Sequence, residues 1–288
     1  MKPLLLVAAF FTVLDLYGQD DLLGLLEESE RARDEVTIAT FKGTRIINGH
    51  SVETRNEGVL DFIISHRFGT LNSGAYELWG LDQSNIRLAL EYAFFEDLMV
   101  GLGRSSFEKT YDAFLKYKLL KQKTGTKNIP VSAVLFASTT IKTLRRFDGF
   151  EPTFIDKLAN TTQLLVARKI TPELSIQLSP TYIYYHLIEA NEKRNDVAAL
   201  GIGGRYKITS RVTFNAEYFY QFFNKNDQFY HDAIAVGVDI ETGGHVFQLQ
   251  FTNATAMIEK GFIGETRNDF FGGDIHFGFN ISRAFQLK

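Results

Sequence analysis

The chain has no cysteine, one tryptophan, three methionines and five prolines in 288 residues. Without cysteine there is no disulfide framework, no thiolate metal site and no thiol nucleophile. An excess of one charge sign is missing too. Thirty-one basic against 34 acidic residues give a formal net charge of −3, which excludes the basic footprint of a nucleic-acid binder. Beyond the N-terminus no stretch reaches about 18 apolar residues, so no transmembrane helix is expected. What the chain does have is aromatic surface. Its 26 Phe and 12 Tyr need an apolar surround that a soluble enzyme of this size seldom offers.

Met1-Lys2, the apolar run Leu4 to Leu14 and Leu16-Tyr17-Gly18 before Gln19 read as a secretory signal peptide over 1–18, because the run is short of the roughly 20 residues that span a bilayer. Residues 19–56 are expected to form a periplasmic leader or a lumen-associated N-terminal segment, with Thr37 to Phe41 strand-like.

From residue 57 the apolar positions recur every second residue. Ile86, Leu88, Leu90, Tyr92 and Phe94 oppose Arg87, Ala89, Glu91 and Ala93. Ile234, Val236, Val238 and Ile240 oppose Ala235, Gly237, Asp239 and Glu241. Such segments of about 10 to 14 residues exceed the roughly 5 to 6 of soluble sheets and suit tilted strands in a bilayer. Short turns near 95–97, 170–173, 208–211 and 242–244 alternate with longer charged loops near 69–84, 142–158, 189–196 and 253–269, the asymmetry of outer-membrane barrels. Strands at 57–68, 84–94, 97–105, 110–121, 129–141, 158–169, 173–187, 196–207, 211–223, 230–241, 245–253 and 270–286 predict an all-β antiparallel transmembrane barrel over 57–288. Twelve strands leave both ends periplasmic. Fourteen are the alternative if residues 36–51 enter the wall. Arg substitution on the apolar face, at Leu90, Val236 or Phe277, is expected to harm insertion, and change at Ala89, Ala235 or Gly278 to be milder if space permits.

Thr40-Phe41-Lys42-Gly43-Thr44-Arg45-Ile46-Ile47-Asn48, His66-Arg67-Phe68-Gly69, Leu78-Trp79-Gly80-Leu81-Asp82 with Ser84-Asn85-Ile86-Arg87, and Lys116-Tyr117-Lys118-Leu119-Leu120 resemble an uncharacterised family of outer-membrane β-barrel proteins from Gram-negative bacteria. The resemblance implies location in the cell outer membrane and a barrel fold. It carries no established activity or catalytic residue.

Motifs for chemistry are decoys. Ser106-Phe107-Glu108-Lys109 and Lys123-Thr124-Gly125 match the spacing of penicillin-recognising enzymes, but they fall at opposite ends of one strand with no Ser-Asp-Asn between. Gly201-Ile202-Gly203-Gly204 lies within a strand, so it cannot open a phosphate-binding helix; it reads as space on the inner face. Histidines 50, 66, 186, 231, 245 and 276 have no ligand spacing. No cofactor, metal or catalytic residue is expected. An outer-wall lipid hydrolase built on His186 is a distant alternative, since no serine lies obviously beside it.

The lumen side carries mixed charges: Asp61, Arg67, Arg87, Glu91, Lys116, Lys118, Arg205, Glu217, Asp239, Glu241, Asp274 and His276. Buried charges need partners, so opposite signs facing each other across 57–94, Arg67, Arg87 and Glu91 among them, are expected either to brace the wall or to line a passage. Two functions follow: a channel or carrier for a small solute, or a non-transporting barrel that anchors or joins an envelope protein complex. In the second, apolar groups at 142–158 and 253–269, such as Phe147, Phe154, Phe262 and Ile263, meet the other protein. The remaining partner is outer-membrane lipid, and no nucleic acid is involved.

Overall fold

The computed structural model describes residues 35–189, 192–226 and 229–287. The expected signal peptide and the leader before residue 35 lie outside them. Twelve strands follow in order: β1 Val59–Thr70, β2 Ser84–Phe95, β3 Leu98–Ser105, β4 Thr110–Leu120, β5 Ser132–Lys142, β6 Leu158–Lys169, β7 Leu174–Tyr185, β8 Asp196–Lys207, β9 Val212–Phe223, β10 Ala233–Thr242, β11 His245–Thr252 and β12 His276–Gln286. Each pairs antiparallel with its neighbours, and β12 closes on β1 from Gln286 opposite Val59 to His276 opposite Thr70, so the sheet is a closed barrel. Closure removes both edges, and every strand finds ladder partners on two sides. In hydrocarbon that is the condition a sheet must meet.

The alternation sets the two faces. Leu88, Leu90, Leu102, Leu115, Leu135, Leu164, Leu178 and Leu249 are exposed outward, forming the apolar band that faces lipid. Exposed aromatics flank the band at both heights: Phe94, Phe95, Tyr206 and Phe285 near the short turns, Tyr111, Tyr182, Tyr184 and Phe222 near the long loops. These are the two interfacial girdles, and the short-turn end with the C-terminus is the periplasmic one. Leu90, half exposed on this band, gives a direct check. Leu90→Arg should impair insertion by about 2–4 kcal/mol near the midplane, read as a loss of heat-modifiable barrel in outer-membrane fractions.

The inward positions are less forgiving than their small side chains suggest. Ala89 and Ala235 are 3% and 1% exposed, and a β-carbon added at Gly278 would lie 2.5 Å from the carbonyl oxygen of His66. At Gly278 the space on which a mild outcome depends is absent. The lumen is packed.

Two inserts fill it. Residues 37–56 turn into the barrel from the periplasmic mouth as a hairpin: Thr37 N donates to Gln122 O at 2.8 Å, the chain bends where Arg45 bridges His50, and Thr54 Oγ1 returns to Glu96 O at 2.7 Å. Only Glu35–Val36 adds to a sheet, on Lys123–Thr124 of the β4–β5 turn, so residues 36–51 contribute no wall strand and closure stays at twelve. Phe41, Ile46, Ile47 and Val52 of the hairpin pack with Phe114, Val134, Phe136 and Leu165 of the wall. Wall glycines leave the necessary space. A β-carbon at Gly101 would meet the Phe114 ring at 2.1 Å, and one at Gly203 would meet Ile46 Cδ1 at 2.5 Å.

From the other end the β11–β12 loop folds inward and carries the short helix α1, Glu259–Gly264. Phe262 and Ile263 of α1 are fully buried and pack with Ile183, Tyr185, Val197 and Phe219. These apolar groups fill the upper lumen, a correction to the expectation that 253–269 offers them to another protein. In the 142–158 loop, by contrast, Phe147 is 95% exposed. The last strand begins at His276 rather than 270, because Asp269 to Ile275 make tight turns, with Gly273 at φ 89°.

Candidate functional site

The wall holds the hairpin by charges and amides that end on its backbone. Glu217 of β9 accepts three successive amides, from Ile47 N at 3.3 Å, Asn48 N at 2.8 Å and Gly49 N at 3.1 Å. Lys116 of β4 donates to three carbonyls, Thr44 O at 3.3 Å, Ser51 O at 2.8 Å and Glu53 O at 2.7 Å. A carboxylate thus binds where the bend shows N–H groups, and an ammonium where its arms show C=O. Arg205 Nη1 donates to Ala39 O at 2.9 Å, Gln177 Nε2 to His50 O at 2.7 Å and Asn280 Nδ2 to Ile47 O at 3.1 Å. Charged groups make hydrogen bonds roughly twice as strong as neutral ones. Polar residues that would otherwise line a water-filled bore are engaged with this chain's own segment.

Arg67, Arg87 and Glu91 do not bond one another. Arg67 Nη2 donates to Asn48 Oδ1 of the hairpin at 2.6 Å. Arg87 makes a bidentate pair with Asp112 of β4, Nε to Oδ1 at 3.0 Å and Nη2 to Oδ2. Glu91 accepts from Thr44 Oγ1 at 2.9 Å and pairs with Arg45 Nη2 at 3.1 Å. The expected charges facing each other across 57–94 are therefore corrected: the partners come from the insert and from β4.

The remaining lumen-side residues divide three ways. Asp239 is buried within the wall and accepts from Gln248 Nε2 at 2.7 Å. Lys118 is half-buried and lines a smaller cavity at the periplasmic mouth with Glu53, Thr54 and Glu96; Asp61 nearby pairs with Arg55, and Glu241 with Lys42. His276 sits at the external rim, its Nδ1 2.8 Å from Phe68 O and its Nε2 2.7 Å from Asn268 Nδ2. Asp274 is in the external turn, where it accepts from Asn72 Nδ2 at 2.6 Å, so it is not a lumen residue. Alternation carried back from β12 had placed it there, and the strand does not reach that far.

The two inserts meet at the centre. Glu259 at the start of α1 lies 3.7 Å from Arg45 Nη1 and 3.5 Å from His50 Nε2, and the His50 ring packs against Phe114 and Phe136 at centroid distances of 4.6 and 4.4 Å. The next residue, Lys260, points the other way. It bonds Glu108 at 3.0 Å and Glu265 at 2.7 Å, and Lys225 continues the series to Glu265 at 3.1 Å and Glu192 at 3.0 Å. Burial alone would raise the Glu265 carboxyl, but Lys260 and Lys225 outweigh it and hold the group below the usual carboxylate range. This alternating series laces four external loops over a vestibule of about 670 Å³. One element, α1, therefore faces the vestibule through Lys260 and the hairpin through Glu259. Neither was legible beforehand, since loop charges carry no periodicity.

On the outer wall Asn160 Nδ2 and His186 Nε2 meet at 2.9 Å. The residues opposite Asn160 on the adjoining strands are Thr139 and Tyr184; no serine is paired with it. Among the described residues no group of His, Asp or Glu is arranged to hold a metal ion.

A closed twelve-stranded antiparallel barrel with a lipid-facing apolar band, aromatic girdles and a polar, filled interior defines an outer-membrane β-barrel protein. The chain belongs to the family described as membrane bound beta barrel domain (DUF5777), whose model matches residues 41–285. It is a domain of unknown function. No curated protein matches it in sequence. Among solved structures the chain is similar to the COG4313 outer membrane channel from Pseudomonas putida F1, at 12% identity over 81% of this chain and 98% of that one, with a TM-score of 0.50. It is also similar to the KdgM porin, at 11% identity, 79% and 99% coverage and a TM-score of 0.49. The outer membrane phospholipase A from Escherichia coli gives 11%, 80%, 91% and 0.42. These are likenesses of fold. The protein resides in the outer membrane.

Proposed function

We propose that the protein is a channel for small solutes, held closed by its own N-terminal hairpin below and by the α1 loop above. The observation that carries this reading is the separation of two cavities, one at each mouth, by a polar contact between two inserts at Arg45, His50 and Glu259. A barrel meant only to stand in the membrane could be filled by large side chains from its own strands. Here the filling is a separate stretch of chain, attached through hydrogen bonds that water can replace and through the small apolar cluster of Phe41, Ile46, Ile47 and Val52.

Planar-bilayer conductance tests the reading. The full chain should be closed for most of the recording, whereas Arg45→Ala with Glu259→Ala, or a chain lacking residues 37–56, should show openings. The rival reading is an anchor or subunit that binds another envelope protein, supported by Phe147, Phe154 and Ile155 exposed on one external loop. It gains if both variants remain heat-modifiable barrels in the outer membrane and neither conducts.

A further inference from the structure

The external vestibule is lined by six cationic and five anionic side chains, Lys142, Arg146, Lys157, Lys225, Lys260 and Arg267 against Glu108, Asp156, Glu189, Glu192 and Glu265. Most of that charge is spent internally. Lys142 and Lys260 bind Glu108, Lys260 and Lys225 bind Glu265, Lys225 binds Glu192, and Arg146 binds Glu189 at 2.6 Å. Asp156 is held by the amide and hydroxyl of Thr153, both at 2.8 Å. Among the described residues of the lining, Lys157 and Arg267 alone pair with no carboxylate. The Arg267 guanidinium stands 5.9 Å from the centre of the Tyr230 ring.

The geometry points to the vestibule as a docking site for a small organic anion, recognised by Lys157 and Arg267; this rests on the channel reading and names its substrate class. Fixed ion pairs cancel one another at short range; the Asp156 carboxylate, bonded to Thr153 but to no cation, offsets one of the two uncommitted cations, so the lining keeps a net single positive charge, carried by Lys157 and Arg267. A guanidinium offers a planar fork that fits a carboxylate or a sulfonate, which an isolated ammonium does not. Leu144, Pro152, Leu187 and the Tyr230 ring give the same cavity an apolar side, which an inorganic ion would not use. Its volume, about 670 Å³, falls within the range of small-molecule sites.

The test reads the cavity without requiring conduction. The chain lacks cysteine, so Leu187→Cys places a single thiol in the lining. Its rates of reaction with 2-sulfonatoethyl methanethiosulfonate and with the 2-(trimethylammonio)ethyl reagent of similar size are compared at low salt. The anionic reagent should react faster, relative to each reagent's rate with a free thiol. Arg267→Gln and Lys157→Gln should each lower that preference about twofold to fourfold, and about 0.5 M salt should compress it. A preference for the cationic reagent, or one that neither substitution changes in a barrel that remains heat-modifiable, overturns the assignment. Because labelling is independent of ion flow, anion preference in a barrel that never conducts retains the docking site and removes the channel. Conduction with no anion preference does the reverse.

Discussion

Glu217→Ala should release the N-terminal hairpin. The substitution strands three amides at 47–49 that have the carboxylate as acceptor, and each buried donor without a partner costs about 1–3 kcal/mol. Water that enters with the displaced segment recovers part of this, so a net loss of about 3–5 kcal/mol is expected for the docked state. Glu217→Gln, whose carbonyl can still accept, should lose less. Limited proteolysis of the purified barrel reads the outcome. Residues 37–56 should be cut in the alanine variant and protected in the parent, with the glutamine variant between them. Lys116→Met should act alike from the other side, since its ammonium serves three hairpin carbonyls. Equal protection in all four proteins would mean that apolar packing of Phe41, Ile46 and Ile47 retains the hairpin unaided.

Asp112→Ala is expected to weaken the wall itself. Arg87 is 1% exposed, and its bidentate partner is the Asp112 carboxylate on a non-adjacent strand. Removing one member leaves a buried guanidinium uncompensated, at a cost of about 3–5 kcal/mol, whereas replacing both by apolar residues of similar size is often neutral. The temperature at which the barrel loses its folded mobility on detergent gels should therefore drop sharply in Asp112→Ala. Arg87→Met with Asp112→Leu should recover it. If the single substitution leaves that temperature unchanged, water reaches Arg87 and the lumen around it is not tightly filled.

The wall was legible because a two-residue period in a lipid-facing strand has one meaning once long segments and alternating connection lengths are added. Ile86 to Phe94 and Ile234 to Ile240 fix which side is outward, and strand limits follow to within a few residues except at β12. What occupies the other side does not follow. Inward Arg, Glu and Lys are equally compatible with a water-filled bore, with pairs across the wall and with a polar insert. The hairpin's apolar groups, Phe41, Ile46, Ile47 and Val52, show no strict alternation because they pack on several strands at once. The α1 loop misled for a related reason: Phe262 and Ile263 in an external loop suggest a binding surface, and only the three-dimensional path shows them turned into the barrel.

The central claim is that the hairpin closes the pore, and a reversible lock tests it most directly. A β-carbon at Gly203 would meet the Ile46 side chain, 2.5 Å from its Cδ1, so cysteines at the two positions face each other where the hairpin touches the wall, and the absence of any native cysteine leaves no competing thiol. Ile46→Cys with Gly203→Cys, combined with Lys116→Met to loosen the hairpin, should conduct in planar bilayers under reducing agent, fall silent on oxidation and conduct again on reduction. Conductance that persists unchanged after the cross-link has formed, verified by mass spectrometry, would contradict the claim. So would silence in the reduced state while proteolysis finds residues 37–56 outside the barrel.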